Sequence, residues 1–281
     1  MNFKYYFPTL VLTGIFFLCS CGHHNDPSAP DDPSPLHISR PDSAYIYSID
    51  EDSVETLALL TYYTYDANGN LTLEFDSVIV PPSLYSPSKS KIERQYDEKG
   101  NMIVEQRSYY SPMSEAWENG QRNVYEYDAK NKLSVEIIYL GYSGPLENPS
   151  KKICFSWIDD THALGKGYMY GWTISKTDPW GLSEEIEYTY NSNGKVEKAI
   201  SYYANGDSTA EKHLWCTSIY EYDQYGNLTL FTFSDQNNVV QLCEFYKYEY
   251  DANGKMLIKW RGKGDRKEEN RNYTEKYVYF Y

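Results

Sequence analysis

The chain has 281 residues and a formal net charge of −14 at pH 7, and it is rich in tyrosine, with 31 Tyr against 10 Phe. Nucleic acids and anionic lipid surfaces carry the same sign of charge, so we expect no nucleic-acid partner. The roughly 240 residues that follow the N-terminal segments are enough for one domain with a sizeable core.

The first predicted element is an export signal at residues 1–20. Lys4 precedes an apolar run from Leu10 to Leu18, which is too short to span a bilayer. The run ends in Leu18-Cys-Ser-Cys21, which resembles the cleavage box of bacterial lipoproteins. The resemblance implies cleavage before Cys21 and a lipid on its thiol, which would hold the protein on a membrane. An ordinary secretory peptide cut nearby is the alternative.

Residues 21–42 are predicted to be the lipidated cysteine and a flexible tether. This stretch is rich in Pro and Asp and has no apolar pattern, so it cannot bury a core. His23 and His24 lie in it and are interpreted as polar spacer rather than metal ligands. Residues 43–281 are the expected single domain.

One short stretch, Tyr63-Thr-Tyr-Asp-Ala-Asn-Gly-Asn-Leu71, recurs through this domain. Its Tyr-Asp or Tyr-Asn pair begins at positions 65, 96, 127, 190, 222 and 250, with steps of 31, 31, 63, 32 and 28 residues. The step of 63 is twice the usual one, so a decayed seventh copy is expected at Ile158-Asp159. Such a period is typical of repeat architectures whose units share a core.

Each copy predicts the turn of a β-hairpin. Asp or Asn stands at the first corner, and three residues later comes a residue type that tolerates positive φ. This pattern favours a type I turn followed by a bulge. The predicted turn positions are Gly69, Gly100, Asn131, His162, Gly194, Gly226 and Gly254.

Apolar residues alternate with polar ones on both sides of the turns, as in Tyr63 and Tyr65 before the first turn and Leu71, Leu73 and Phe75 after it. Alternation with period 2 predicts strands with one buried face. Seven hairpins and two terminal strands give an all-β antiparallel meander of about 16 strands. So large a sheet is expected to coil into a spiral or a barrel-like wrap.

The repeated Tyr-x-Tyr-Asp-x-x-Gly-Asn-Leu pattern, from about residue 60 to 260, resembles the Rhs/YD repeat family. The resemblance implies a β-sheet that winds into a shell or superhelix. Large members of the family carry a toxin after the repeats. Here the sequence stops at Tyr281 on what is predicted to be a last strand, so no toxin role is expected.

No motif of the sequence predicts catalysis, a cofactor or a metal site. Asp66-Ala-Asn-Gly-Asn70 only partly matches a calcium loop, which needs Gly at its sixth and Glu at its twelfth position. Cys154, Cys216 and Cys243 have no metal-ligand spacing. We expect buried thiols, with one disulfide as the alternative, and an inward-facing Cys216.

The expected function is a non-enzymatic binding or surface scaffold for a glycan or a protein, anchored by lipid in the bacterial cell envelope, on the outer membrane. Because strand and turn positions are committed to backbone geometry, recognition is expected on the loops between repeats. The candidate ligand-binding residues are Trp117, Tyr142 and Trp180. A hydrolase hidden among the acidic residues and an assembly or immunity partner that pairs through an edge strand are the alternatives.

The anchor can be tested by the mass of the mature chain. We expect protein extracted from membranes to begin at Cys21 and to carry diacylglyceryl or triacyl mass on that residue, and a Cys21→Ser variant to leave the membrane fraction. Intact-mass spectrometry that finds an unmodified N-terminus at another residue would contradict the lipoprotein assignment.

Overall fold

The computed structural model describes residues 40–79, 87–141, 148–171, 179–203, 212–264 and 271–281. Within these ranges sixteen antiparallel strands pair in chain order in one sheet, and pairing of the first strand with the last closes it into a barrel. The predicted all-β meander of about 16 strands is confirmed, and it is a closed barrel. The strands are β1 (Ser43–Ile49), β2 (Glu55–Tyr65), β3 (Leu71–Val78), β4 (Lys89–Tyr96), β5 (Met102–Ser111), β6 (Ala116–Tyr127), β7 (Leu133–Leu140), β8 (Lys151–Trp157), β9 (His162–Tyr170), β10 (Trp180–Tyr190), β11 (Val196–Tyr203), β12 (His213–Tyr222), β13 (Leu228–Asp235), β14 (Val240–Tyr250), β15 (Met256–Gly264) and β16 (Arg271–Phe280).

The two ends of the barrel are built differently. The repeat turns, from the β2–β3 connection to the β14–β15 connection, all lie at one end, which we call the YD end after its Tyr-Asp pairs. The connections between repeats lie at the other, which we call the arm end. The chain enters the sheet at the YD end, where the Asp42 N–H donates to the Phe280 carbonyl at 2.8 Å. The junction of β1 and β16 therefore takes the place of an eighth repeat turn.

One side-chain oxygen organises each turn. At Asp223, Oδ1 accepts the backbone N–H groups of Tyr225 (2.9 Å) and Asn227 (2.7 Å), and the Asp223 carbonyl accepts the N–H of Gly226, whose φ is +77°. Asp and Asn recur here because their short side chains can reach these donors. An Oδ1 that accepts the N–H four residues later, with positive φ at the third, is found at Asp50, Asp66, Asp97, Asp128, Asn191, Asp223, Asp235 and Asp251.

Six of the seven predicted turn positions have positive φ, namely Gly69, Gly100, Asn131, Gly194, Gly226 and Gly254. The prediction for His162 is wrong. His162 begins β9, and its carbonyl accepts the Ile158 N–H at 2.9 Å, so this turn closes one residue earlier than the others. The Asp159 carboxylate accepts the Thr161 N–H at 2.7 Å and lies 3.0 Å from Nδ1 of His162, and these contacts lower the pKa of Asp159 to about 2.

The strand pairs slip by one residue beside the repeat turns, and this slip sorts the apolar residues onto two faces. Tyr127 pairs with Leu133, but after the shift Tyr125 pairs with Glu136. Leu73 and Phe75 likewise leave the face of Tyr63, which pairs with Glu74. A one-residue shift moves every following side chain to the other face of the sheet. The apolar sets before and after a turn therefore do not form one continuous face.

The face with the repeat tyrosines lines the inside of the barrel. Lys259 on β15 and Glu74 on β3 are four strands apart and still interact electrostatically, which requires a concave face. The repeat tyrosines thus lie on the inward face of their strands, as the period-2 alternation predicts. Part of the lumen, from β8 to β13, is packed by apolar and aromatic side chains such as Ile153, Phe155, Ile186, Tyr188, Tyr220 and Phe231.

Tyrosine is preferred to phenylalanine at the repeat position because its hydroxyl ties one repeat to the preceding one. At three repeats the tyrosine that ends a strand at the YD end donates to the carbonyl of the first residue of the strand before it. In the decayed copy the indole N–H of Trp157 makes the same bond. The bonds are Tyr96 to Leu71 (2.9 Å), Tyr127 to Met102 (2.9 Å), Trp157 to Leu133 (2.8 Å) and Tyr222 to Val196 (2.8 Å).

Cys154, Cys216 and Cys243 lie on three different strands and form no disulfide with one another. Cys216 faces the lumen as predicted, and burial raises the pKa of its thiol to about 11. In the ranges given above, no helix has the length and apolar character needed to cross a membrane.

Removing one inter-repeat bond should lower stability by a measurable amount. Tyr127→Phe leaves the Met102 carbonyl without its phenol donor, and we expect a loss of about 0.5–1.5 kcal/mol, or roughly 1–6 °C in melting temperature. The matched control is Tyr62→Phe, because Tyr62 is 50% exposed on the outer face. Equal melting temperatures for the two variants would contradict a stabilising role for the Tyr127 hydroxyl.

Candidate functional site

Trp117 lies at the arm end, on the outer face of the barrel. It is the second residue of β6 rather than a loop residue, because Ala116 and Trp117 pair with the end of β5. Its ring lies 5.9 Å from that of Tyr110 in an edge-on arrangement and 6.2 Å from that of Phe75, and the Lys91 ammonium is 5.2 Å from its centre. The side chain is still 41% exposed. We call Phe75, Lys91, Tyr110 and Trp117 the first aromatic patch.

Trp180 forms a second patch of the same design at the arm end. It is the first residue of β10 and pairs with Tyr170, whose ring lies 5.6 Å away at 84°. Lys152 lies 4.7 Å from the centre of the Trp180 ring and 5.5 Å from that of Tyr168. We call Lys152, Tyr168, Tyr170 and Trp180 the second aromatic patch. Tyr142, the remaining candidate, lies outside the described residues.

A group of buried charges in the lumen was not predicted from the sequence. Glu74, Glu105 and Glu136 occupy the same repeat position at steps of 31 residues, and alignment of the repeats on their Asp would have revealed them. Both Glu105 oxygens are paired, one with Nε of Arg94 at 3.0 Å and the other with Nε of Arg107 at 3.2 Å. Arg94 also reaches Glu74 at 3.4 Å. These ion pairs compensate the burial of the acidic side chains.

A further ion pair crosses strand β9. Lys151 on β8 and Glu184 on β10 are in contact although β9 lies between them. The contact passes over Gly167, where a Cβ would lie 2.6 Å from Cγ of Glu184. Glycine at this position therefore makes room for the pair.

Glu136 is the buried acid with the weakest compensation. The residue is 1% exposed, Oε1 accepts a hydrogen bond from Nδ2 of Asn123 at 3.2 Å, and Oε2 has no hydrogen-bond partner among the described residues. Burial raises the pKa of Glu136, Lys151 lowers it, and Glu105 and Glu184 raise it. The net pKa is about 7. Such a carboxyl could serve as an acid, but it lies inside the packed barrel.

A third charged group lies near β14, β15 and β16. Arg261 bridges Glu244 at 2.9 Å and Glu275 at 3.4 Å. Lys259 lies 4.8 Å from the ring centre of Tyr277 and 5.2 Å from that of Tyr246. Burial lowers the pKa of Lys259, yet its side chain keeps some accessible surface, so it faces open space in the lumen.

An open pocket is found at the YD end, beside β13 and β14. A cavity of about 520 Å³ is lined there by the turn residues Asp223, Gln224 and Tyr225 and by Thr229, Tyr246, Lys247, Tyr248 and Tyr250. No cluster of three or more His, Cys, Asp or Glu side chains suited to a metal ion occurs in the described part of the chain. That the protein needs no metal or cofactor stays a prediction.

No protein-family model matches the chain, and no curated protein matches it. Among solved structures, a porin-like protein from Bacteroides uniformis is similar at 9% identity and a TM-score of 0.36, over 86% of this chain and 98% of that one. A porin-like protein from Bacteroides vulgatus is similar at 7% identity and a TM-score of 0.35, over 84% of this chain and 97% of that one. A Bacteroides fragilis protein of unknown function is similar at 13% identity and a TM-score of 0.35, over 46% of this chain and 91% of that one. At TM-scores this low, the similarity carries no argument about the function of this chain.

Glu136 should make stability depend on pH. Its folded pKa of about 7 exceeds the ordinary value of 4.5, so the folded state holds the proton more tightly. The stabilisation is complete below about pH 4.5 and is lost as the pH rises through 7, by about 3 kcal/mol in total.

We therefore expect Glu136→Gln to be more stable than wild type at pH 8, with the difference shrinking towards pH 4.5. Denaturant unfolding of both proteins at pH 4.5, 6 and 8 measures the difference in their free energies of unfolding. The contribution of the turn carboxylates to the pH dependence cancels in this difference, because both proteins carry them. A difference that is constant across this range would contradict the raised pKa.

Proposed function

We propose that the protein is a lipid-tethered, extracytoplasmic scaffold without catalytic activity, which binds a glycan or protein partner through the two aromatic patches at its arm end. The observation that carries this proposal is the repeated design of the patches. In each, a tryptophan at the start of a strand is held edge-on by a tyrosine of the preceding strand and has a lysine over its ring. Exposed aromatic rings with adjacent charge are typical anchors for partners.

The entry point of the chain supports this assignment. Tyr65 donates to the Pro41 carbonyl at 3.1 Å and Arg40 to the Asn68 carbonyl at 3.3 Å, so the chain reaches the barrel at the YD end. A lipid on Cys21 would be joined to this end through the flexible tether. Both aromatic patches lie at the opposite end, away from the point where the tether is attached.

The outer face supports a tether rather than insertion of the strands into lipid. Exposed charges stand on this face in several strands, and Lys or Arg at the middle of a bilayer costs a barrel roughly 2–4 kcal/mol each. The exposed outer-face charges include Glu93, Glu126, Glu187, Lys198, Glu221, Lys247 and Glu249. The barrel wall is therefore better suited to water than to lipid.

The lumen carboxyls favour a structural role over hydrolysis. Glu105, Glu136 and Glu184 are at most 5% exposed and lie in ion pairs or in the packed interior, where a substrate cannot meet them. Pairing through an edge strand has no support either, because each of the sixteen described strands already has two neighbours. The described residues therefore favour a scaffold over hydrolysis or edge-strand pairing.

The test is a comparison of partner capture by two folded variants. We expect Trp117→Ala combined with Trp180→Ala to lose most binding in glycan arrays and in pull-downs from native membranes. The control combines Tyr45→Ala with Tyr62→Ala, which removes two exposed outer-face rings at the opposite end. Unchanged binding by the tryptophan variant would discard the patches as the site, and turnover of a substrate that depends on lumen carboxyls would discard the scaffold itself.

A further inference from the structure

We propose that the cavity at the YD end, beside β13 and β14, is a second binding site, independent of the aromatic patches, and that it takes one neutral sugar unit. The cavity of about 520 Å³ lies within the size range of small-molecule sites, about 300–1,000 Å³. It is open and is lined by four tyrosines among polar side chains. Its wall, its charge state and its spare hydrogen-bonding groups each point to the same ligand class.

The wall is a run of three neighbouring tyrosine rings. Tyr225 lies with its ring centre 4.4 Å from that of Tyr250, and Tyr250 lies 6.2 Å from Tyr248 at an interplanar angle of 26°. The strand tyrosines are fixed, because Tyr248 donates to the Leu228 carbonyl at 2.7 Å and Tyr250 to Oδ2 of Asp223 at 2.5 Å. Tyr225 is 41% exposed, so one face of its ring is open to a ligand. The flat C–H face of a pyranose ring fits such a surface.

The charges around the cavity are already compensated. Asp223 accepts two backbone N–H groups and the Tyr250 hydroxyl, and Tyr250 in turn accepts from Nδ2 of Asn227 at 2.7 Å. Lys247 lies 3.7 Å from Glu249 and 4.7 Å from the centre of the Trp260 ring. An anion would find no uncompensated cation, and a cation would find a carboxylate that is saturated with donors. The preferred ligand is therefore neutral.

Polar groups remain available for hydroxyls. The amide of Gln224 and the hydroxyls of Tyr225 and Thr229 make no hydrogen bond within the described residues. Together they offer both donors and acceptors, which matches the hydroxyl groups of a sugar. A purely apolar ligand would bury them unpaired, at a cost. Burial and the nearby Asp223 raise the pKa of Tyr250, so its phenol stays a donor at neutral pH.

The experiment uses the full chain in detergent with the methyl glycosides of glucose, galactose and N-acetylglucosamine, followed by ligand-detected saturation-transfer NMR and calorimetry. Glucuronate and glucosamine serve as the charged counterparts. We expect at least one neutral glycoside to bind more tightly than either charged sugar. Tyr225→Ala should weaken that binding about tenfold, or about 1.4 kcal/mol, while Tyr225→Phe, which keeps the ring, should change it much less.

Two variants separate this site from the rest of the protein. Tyr62→Ala removes an exposed tyrosine elsewhere, and the Trp117→Ala, Trp180→Ala variant removes the aromatic patches; both should leave glycoside binding unchanged. Failure of all three neutral glycosides to bind would overturn the proposal, as would equal binding by the Tyr225→Ala variant or preference for a charged sugar. Loss of partner capture with intact glycoside binding would concern only the patches.

Discussion

The architecture depends on a single side-chain oxygen at each repeat turn. In the turn that starts at Asp223, Oδ1 takes the N–H groups two and four residues on, which fixes the corner and demands a left-handed residue at Gly226. The same geometry occurs at Asp50 and Asp235, outside the Tyr-Asp frame and at the arm end. Eight such corners in the described residues provide eight of the fifteen chain reversals that connect sixteen strands.

A closed barrel brings a second constraint, because every inward residue must share one limited space. The slip beside the first three repeat turns sends Leu73 and Phe75 outward and brings Glu74, Glu105 and Glu136 inward. Buried carboxylates are costly unless they are paired. Arg94, Arg107, Lys151 and Arg261 supply most of the partners, and glycine at 167 opens the path for one pair. The interior thus combines an apolar core with a network of ion pairs.

The YD end and the arm end of the barrel differ in structure. The YD end receives the N-terminal segment and carries uniform turns tied together by Tyr96, Tyr127 and Tyr222. The arm end has connections of varied length and presents Trp117 and Trp180. Uniform geometry at one end leaves variation to the other, which is where loops usually specialise.

The sequence by itself determined the hairpin unit, its period and the inward orientation of its tyrosines, because turn chemistry and period-2 alternation are local properties. It also indicated Trp117 and Trp180 as candidate ligand-binding residues, although it assigned them to loops, since strand ends depend on pairing with a neighbour. Only the tertiary structure decided that the sheet closes, that Glu136 is buried beside Lys151, and that Tyr225 and Tyr250 share a cavity. These features depend on side chains from different strands that meet across a concave surface, and His162 shows that a slip of one residue is enough to change a turn.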